Sequence, residues 1–468
     1  MILALTLAAL APAFDEVDGF RCALLAPGDL NHDGTADLVV AHRARPYGAL
    51  DHPTDDWPPI SHSPRIWALS GADGELLWST AGFPNFGNSL TRVGDLDGDG
   101  VQDFGSLEFV PAGARIEAPD QDSKPADAPH PRAGSSCVVL HSGANGSRLK
   151  TIELRPKGIG YLTDLSGGLQ VVGDETPDLL VGARGWAWLI DGATGLPVER
   201  YTHSWMGTVQ VAAVDDWGTD PGRGSDSLGN WLGQPFGHNV ELLEDLDGDG
   251  LAEVLVTGPP KPVPRLGPVG YGPDEQAPSV HRTHLVFSKQ GRRQLDLDSA
   301  GWCAQVLPDL DEDGILDLAT TSVADELRIW SMGTGELLHE QSWAGGYRNG
   351  EGTSLAMIAD RDSDGVADLL VAGCETGQDT DAGRLDLLST KTWTSQGSWM
   401  IHRDDDLAES GRPPTWSGLD ATPVGDLDGD GWEELATMSP MLQEVRMHAG
   451  EDLAIRWRRS FADLLAAE

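Results

Sequence analysis

Short apolar runs recur along the chain, each entered straight from an acidic turn. They are DLVV (Asp37–Val40), DFGSL (Asp103–Leu107), EVLV (Glu253–Val256), DLAT (Asp317–Thr320), DLLV (Asp368–Val371) and ELAT (Glu434–Thr437), with a seventh, LLVGA, at Leu179–Ala183. Runs this short, apolar at consecutive positions and partly β-branched, predict strands buried on both faces rather than helices. A second pattern follows each run: an apolar strand, a turn rich in Gly, and another strand. Its clear copies are WALSGADGELLW (Trp67–Trp78), VVLHSGANGSRLK (Val138–Lys150), WAWLIDGATGLPV (Trp186–Val198) and LRIWSMGTGELL (Leu327–Leu338); weaker ones lie at His284–Leu297, Leu385–Trp399 and Val445–Trp457. Each reads as a β-hairpin. Seven units of strand, acidic turn, strand and hairpin predict an all-β fold, a seven-bladed β-propeller of four-stranded antiparallel blades that fills residues 14–468 as one domain.

The acidic turns carry the candidate chemistry. Six share one pattern, with oxygen-bearing side chains at positions 1, 3, 5 and 9 and Gly at position 6. The residues are Asp29, Asn31, Asp33 and Asp37; Asp95, Asp97, Asp99 and Asp103; Asp245, Asp247, Asp249 and Glu253; Asp309, Asp311, Asp313 and Asp317; Asp360, Asp362, Asp364 and Asp368; and Asp426, Asp428, Asp430 and Glu434. Hard Ca²⁺ takes six to eight oxygens at ~2.3–2.6 Å, and so short a loop closes round it only if one residue turns sharply, which Gly permits. Up to six structural calcium sites are expected, each completed by the position-7 carbonyl and a water. An EF-hand would need a bidentate Glu at position 12 and flanking helices. Position 12 here is Val40, Ser106, Val256, Thr320, Val371 or Thr437, and a strand follows. A seventh turn, Gly173–Asp178, has lost about four residues of the pattern and is stiffened by Pro177; no calcium is expected there. Counting from Asp174 for that turn, the starts are spaced 66, 79, 71, 64, 51 and 66 residues apart, regular enough for a repeat.

Phe236-Gly237-His238-Asn239 leads into Asp245–Glu253 and on to Val256-Thr257-Gly258-Pro259, and Phe86-Gly87-Asn88-Ser89 precedes Asp95. In these residues the chain resembles the FG-GAP repeat of integrin α-chain propellers and bacterial VCBS-type repeat proteins, over roughly residues 19–460. The resemblance implies seven blades, with calcium in the loop between the first and second strands of a blade. Gly301-Trp302 in place of Phe-Gly, and Ala372-Gly373-Cys374 in place of Gly-Ala-Pro, depart from the frame.

Charge narrows the partners. The formal net charge is −42, and 23 of the 74 acidic residues sit at the loop positions named above, so six calcium ions would leave about −30. Such a surface argues against nucleic acid and anionic membrane, which need basic patches. Apolar Ile2–Ala11 followed by Ala11-Pro12-Ala13 reads as a signal peptide over residues 1–13, and no later stretch is long enough to span a membrane. A secreted or periplasmic setting is expected. Four cysteines (Cys22, Cys137, Cys303, Cys374) are too few for a disulfide framework and read as core residues.

Four connections are much longer than the rest: Ala41–Arg65, Pro111–Ser136, Tyr201–Phe236 and Gly258–Arg282. In the family's arrangement all four emerge opposite the calcium loops, where a rigid scaffold carries recognition. They hold Trp57, Trp205, Trp217 and Trp231, candidates for stacking on sugar rings, beside acids and histidines such as His52, Asp55, Asp56, His62, Asp215 and Asp216. No nucleophile elbow, zinc-helix, Walker or dinucleotide pattern occurs, so no catalytic residue is assigned. The reading is a binding or adhesion module for polysaccharide or an extracellular protein. The alternative is an extracellular carbohydrate-active enzyme, a polysaccharide lyase or glycosidase, working through acids in the long loops of blades 1–4.

Overall fold

A computed structural model describes residues 23–42, 64–82, 86–87, 89–110, 135–154, 162–174, 176–183, 186–203, 209–213, 239–246, 248–257, 282–286, 294–298, 303–321, 326–342, 354–377, 380–401, 420–439 and 444–468. Its strands form seven antiparallel sheets, each with its strands side by side in chain order. The first sheet is β1–β4 (Ala23–Gly28, Asp37–His42, Arg65–Leu69, Leu76–Ala81) and the second β5–β8 (Leu90–Gly94, Asp103–Val110, Ser135–His141, Arg148–Leu154). The third is β9–β13 (Leu162–Leu169, Asp178–Ala183, Trp186–Asp191, Leu196–His203, Val209–Ala213) and the fourth β14–β17 (Asn239–Leu243, Glu253–Thr257, Arg282–Val286, Gln294–Asp298). The fifth is β18–β21 (Ala304–Leu307, Asp317–Thr321, Glu326–Trp330, Leu337–Ser342) and the sixth β22–β25 (Ser354–Ile358, Asp368–Gly377, Thr380–Leu388, Ser395–Ile401). The seventh is β26–β29 (Asp420–Gly425, Glu434–Ser439, Glu444–His448, Ile455–Ser460). A helix, α1 (Phe461–Ala467), follows and was not among the expected elements.

This is an all-β propeller with six four-stranded antiparallel blades and one sheet of five strands. The expectation of seven four-stranded blades is corrected at the third sheet. There β13 pairs with β12 from Glu199↔Ala213 to His203↔Val209, giving the outer edge of β12 a partner. Part of the expected long connection Tyr201–Phe236 is therefore strand. Because β13 runs antiparallel to β12, it returns the chain to the end of the sheet that carries the acidic turns.

The second strand of each sheet explains the packing. It lies between two neighbours and is buried on both faces, as β2, β10 and β19 show residue by residue. Side chains alternate between faces along a strand. Leu38 and Val40 join the core between the first and seventh sheets, whereas Val39 and Ala41 join the core between the first and second. Five further cores fill the remaining gaps between adjacent sheets, so the ring is continuous. The free edges of the innermost strands are met from the preceding sheet: Asp420 accepts the Leu24 N–H (3.1 Å), Ser354 that of Ala421 (3.2 Å), and Asp164 that of Val240 (3.1 Å).

Closure is made by side chains. Trp457 of β29 donates its indole N–H to the Gly71 carbonyl (2.9 Å), and Arg459 donates to that of Gly74 (2.9 Å). Ser460 caps α1 by accepting the Asp463 N–H, and the helix places Phe461 and Leu464 in the core shared by the first and last sheets. Glu468 at its end meets Arg65 (3.1 Å) and the Trp67 indole N–H (3.0 Å). Residues 1–13 lie outside the described residues, as do Phe14–Asp18 and Cys22. Cys137 is a buried thiol and Cys303 a half-buried one.

Phe461 is 1% exposed and sits 5.3 Å from the Trp67 ring and 4.8 Å from His42. Phe461→Ala should cost about 3–5 kcal/mol in urea unfolding; a loss below about 0.5 kcal/mol would mean the helix plays no part in closing the ring.

Candidate metal loops

All six acidic loops adopt the same backbone. The position-6 glycines (Gly34, Gly100, Gly250, Gly314, Gly365, Gly431) have φ between 88° and 93°, a conformation that disfavours any residue with a Cβ. Position 4 is also left-handed, at 60–61° for His32, Glu312 and Ser363 and 76–78° for Gly98, Gly248 and Gly429. Only the glycine at position 6 was apparent from the sequence pattern. Two left-handed residues in three fold the loop onto its own first carboxylate. Asp29 accepts the N–H groups of Asp33 (3.1 Å) and Gly34 (2.8 Å), and the position-1 aspartates of the other loops accept the same pair.

Carboxylate oxygens converge as a result. Atoms within 4.8 Å of one another are offered by Asp95, Asp97 and Asp99; by Asp245, Asp249 and Glu253; by Asp309, Asp311 and Asp317; by Asp360, Asp362 and Asp368; and by Asp426, Asp428 and Glu434. Asp247 lies outside the described residues. In the first loop Asn31 replaces an acid and donates its amide to Asp33 (2.9 Å). These donor sets contain oxygen only, which suits a hard divalent cation such as Ca²⁺ and excludes a soft thiolate-preferring metal.

Position 9 is the deepest group. Asp37, Asp103, Asp178, Glu253, Asp317, Asp368 and Glu434 are all 0% exposed, and each opens the second strand of its sheet. One oxygen always accepts a backbone N–H from the start of the turn: Leu30, Leu96, Val171, Leu246, Leu310, Arg361 and Leu427, at 2.6–2.8 Å. The other oxygen fares differently from sheet to sheet. In the first three sheets it accepts the N–H of Gly71, Gly143 or Gly192 in the hairpin turn. Gly is needed there because a Cβ would lie 1.9–2.1 Å from the carbonyl of the residue preceding position 9. Met332 and Thr390 occupy that place in the fifth and sixth sheets, and Asp317 Oδ1 and Asp368 Oδ1 are left buried without a hydrogen-bond partner.

Burial pushes the carboxyls of Asp37, Asp103, Asp178 and Asp368 upward. For Asp317 burial, reinforced by the charges of Asp311, Asp309 and Asp313, raises the value to about 6. A bound cation would reverse that pressure. In the third turn the strand-opening acid stays in place without the rest of the pattern: Asp178 accepts from Val171, Val172 (both 2.8 Å) and Gly192 (3.1 Å). Backbone donors stand there in place of a cage.

Just inside the loops, a second device ties the middle strands together. The residue three after position 9 lies diagonally across from the last residue of the third strand, on the same side of the sheet. Where the former bears a hydroxyl, the latter is a hydrogen-bonding ring: Ser106 with His141 (3.1 Å), Thr320 with Trp330 (2.9 Å) and Thr437 with His448 (2.9 Å). Where it is aliphatic, so is the partner position: Val40 with Leu69, Val181 with Ile190, Val371 with Leu388. His141 Nδ1 lies 3.2 Å from the Gly146 carbonyl, so Nδ1 carries the proton and Nε2 accepts from Ser106. Burial, together with Arg148, lowers the His141 pKa to about 3, and burial lowers that of His448 too.

Trp57, Trp205, Trp217 and Trp231 lie outside the described residues, as do His52, Asp55, Asp56, His62, Asp215 and Asp216. No described helix is long and apolar enough to cross a membrane. No family profile and no curated protein matches the chain. Among solved structures it is similar to the crystal structure of BBS1N in complex with ARL6DN, soaked with mercury (TM-score 0.44, 10% identity, covering 91% of this chain and 89% of that one). The lead-soaked crystal of the same complex gives a TM-score of 0.44 and 9% identity, covering 91% and 90%. Likeness at that level carries no functional argument.

The His141 environment predicts an acid-linked loss of stability. The unfolded imidazole binds a proton below about pH 6.5 while the folded one stays neutral down to about pH 3, so stability held above pH 6.5 drains away as pH falls. The raised carboxyls work in the opposite sense but are common to wild type and variant. Between pH 6 and 4, His141→Gln should therefore lose less stability than wild type, by roughly 1 kcal/mol per pH unit in urea titrations; parallel pH profiles would refute the buried neutral imidazole.

Proposed function

We propose that this chain is a calcium-stabilised, seven-bladed propeller of the extracytoplasmic space that works as a binding module. In this reading the five-stranded third sheet counts as the seventh blade. Support for the metal comes from the oxygen-only clusters and from the buried, unpartnered oxygens of Asp317 and Asp368. The sequence resemblance to FG-GAP repeats points the same way. Calcium here is structural: the residues at positions 1, 3, 5 and 9 would hold it, and bound there it would supply the positive charge that the buried acids lack. Millimolar calcium outside the cytoplasm suits sites of modest affinity.

The binding role rests on an asymmetry of connections. In each antiparallel sheet the acidic loop and the hairpin turn share one end, and the link from second to third strand leaves from the other. That link spans residues 43–64 in the first sheet, 111–134 in the second and 258–281 in the fourth. It shrinks to residues 184–185, 322–325, 378–379 and 440–443 elsewhere. Long segments mounted on one side of a rigid ring are where recognition is built. The ligand classes in view are polysaccharide and extracellular protein.

Chelation should lower the melting temperature by on the order of 10 °C, since a site at one hundred times its Kd contributes about 2.7 kcal/mol. An unchanged melt would overturn the calcium reading. For recognition, replacing residues 111–134 with a short Gly/Ser linker should abolish capture on a glycan or extracellular-protein array while preserving the melt. Release of new reducing ends or unsaturated sugars by the wild type would instead identify a carbohydrate-active enzyme.

A further inference from the structure

The buried position-9 carboxylates differ in what neutralises them, and where the hairpin glycine does not donate, one strand position separates the fifth, sixth and seventh sheets. Where the third and fourth strands pair, the register slips by one residue near the turn in six sheets. A bulge of this kind re-aims a side chain. The bulged residue is Leu77, Leu149, Val198, Leu338, Gln396 or Arg456, in sheet order with the fourth omitted.

Among these six described sheets, only the seventh puts a cation there. The Arg456 guanidinium bonds Glu434 Oε1 through Nη1, and the same nitrogen lies 3.2 Å from Asp428 Oδ2. These are positions 9 and 3 of the loop, two of the three groups whose oxygens converge in that cluster. In the sixth sheet Gln396 lies near Asp368 and offsets only part of the upward push that burial gives its carboxyl, and Asp368 Oδ1 keeps no hydrogen-bond partner. In the fifth sheet the same position is Leu338, and Asp317 Oδ1 is buried and unpartnered beside Asp309 and Asp311.

We infer that Arg456 is the built-in counter-ion of the seventh loop, which takes no metal, and that the loop Asp309–Asp317 is an obligate divalent-cation site. The inference rests on the calcium reading for the fifth loop but not for the seventh. A guanidinium is always protonated, so the seventh sheet keeps its neutralising charge whatever the calcium concentration. That sheet also closes the ring through Trp457 and Arg459. Closure is thereby insulated from calcium while the rest of the ring responds to it. The neighbouring loop is tied in as well: Arg361 lies over the Trp432 ring at 4.7 Å and donates to the Gly450 carbonyl.

The test counts calcium bound per chain by equilibrium dialysis and elemental analysis, with terbium luminescence sensitised by Trp432 as the local probe of the seventh loop. Relative to wild type, Asp317→Asn should bind one ion fewer and Glu434→Gln the same number. Arg456→Gln should bind one ion more, with a new Trp432-sensitised terbium signal. Loss of an ion in Glu434→Gln, or no gain in Arg456→Gln, overturns the inference. If the wild type binds no calcium, the calcium reading fails separately. The counter-ion role is then decided by melts in chelator: Arg456→Gln must melt below wild type and Arg456→Lys between the two, and equal melts would end it.

Discussion

One buried carboxylate per sheet organises this molecule. It opens the second strand, is sealed from solvent, and accepts the backbone N–H at the start of the preceding turn in all seven sheets. A charge so placed is costly unless it is hydrogen-bonded or paired. Asp178 has three backbone donors and no cage around it; Asp37 and Asp103 have two donors and a cage. Glu434 has one donor and Arg456, while Asp317 and Asp368 have one donor and an oxygen left over. The acidic cage is thus an addition to a simpler pin, most needed where the protein supplies least of its own.

Around that pin the ring is built from apolar alternation. A strand buried on both faces sends successive side chains into two different cores, so each sheet is glued to both neighbours by the same few residues. Slipping such a strand by one residue would exchange its two cores. The carboxylate that begins it resists the slip, since it must reach both the turn behind and, in the first three sheets, the hairpin glycine ahead. Closure uses no described strand from the chain's beginning; Trp457, Arg459 and the helix bearing Phe461 and Leu464 lock the last sheet onto the first.

Much of this was legible in the chain. All seven expected hairpins pair as strands, and the apolar runs from Asp37, Asp103, Asp178, Glu253, Asp317, Asp368 and Glu434 are each the second strand of a sheet. Both signals are local, spelled out within a dozen residues. The strand Val209–Ala213 escaped notice because its five residues, VQVAA, sit inside a long polar segment and gain a partner only from the exposed edge of β12. The left-handed backbone at position 4 was hidden by His32, Glu312 and Ser363, which tolerate it without being glycine. Arg456 carries no mark in the sequence pattern; its meaning comes from a bulge, and bulges appear only once the register is known. Contacts such as Trp67 with Glu468 join opposite ends of the sequence and leave no trace in it.

The most direct test of the central claim, that cations gather where a buried carboxylate lacks a donor of its own, is an anomalous difference map from crystals grown in calcium and soaked with terbium. The account predicts peaks beside Asp317 and Asp368, and none beside Asp178 or between Arg456 and Glu434. A peak displacing Arg456, or empty density beside Asp317, would contradict it.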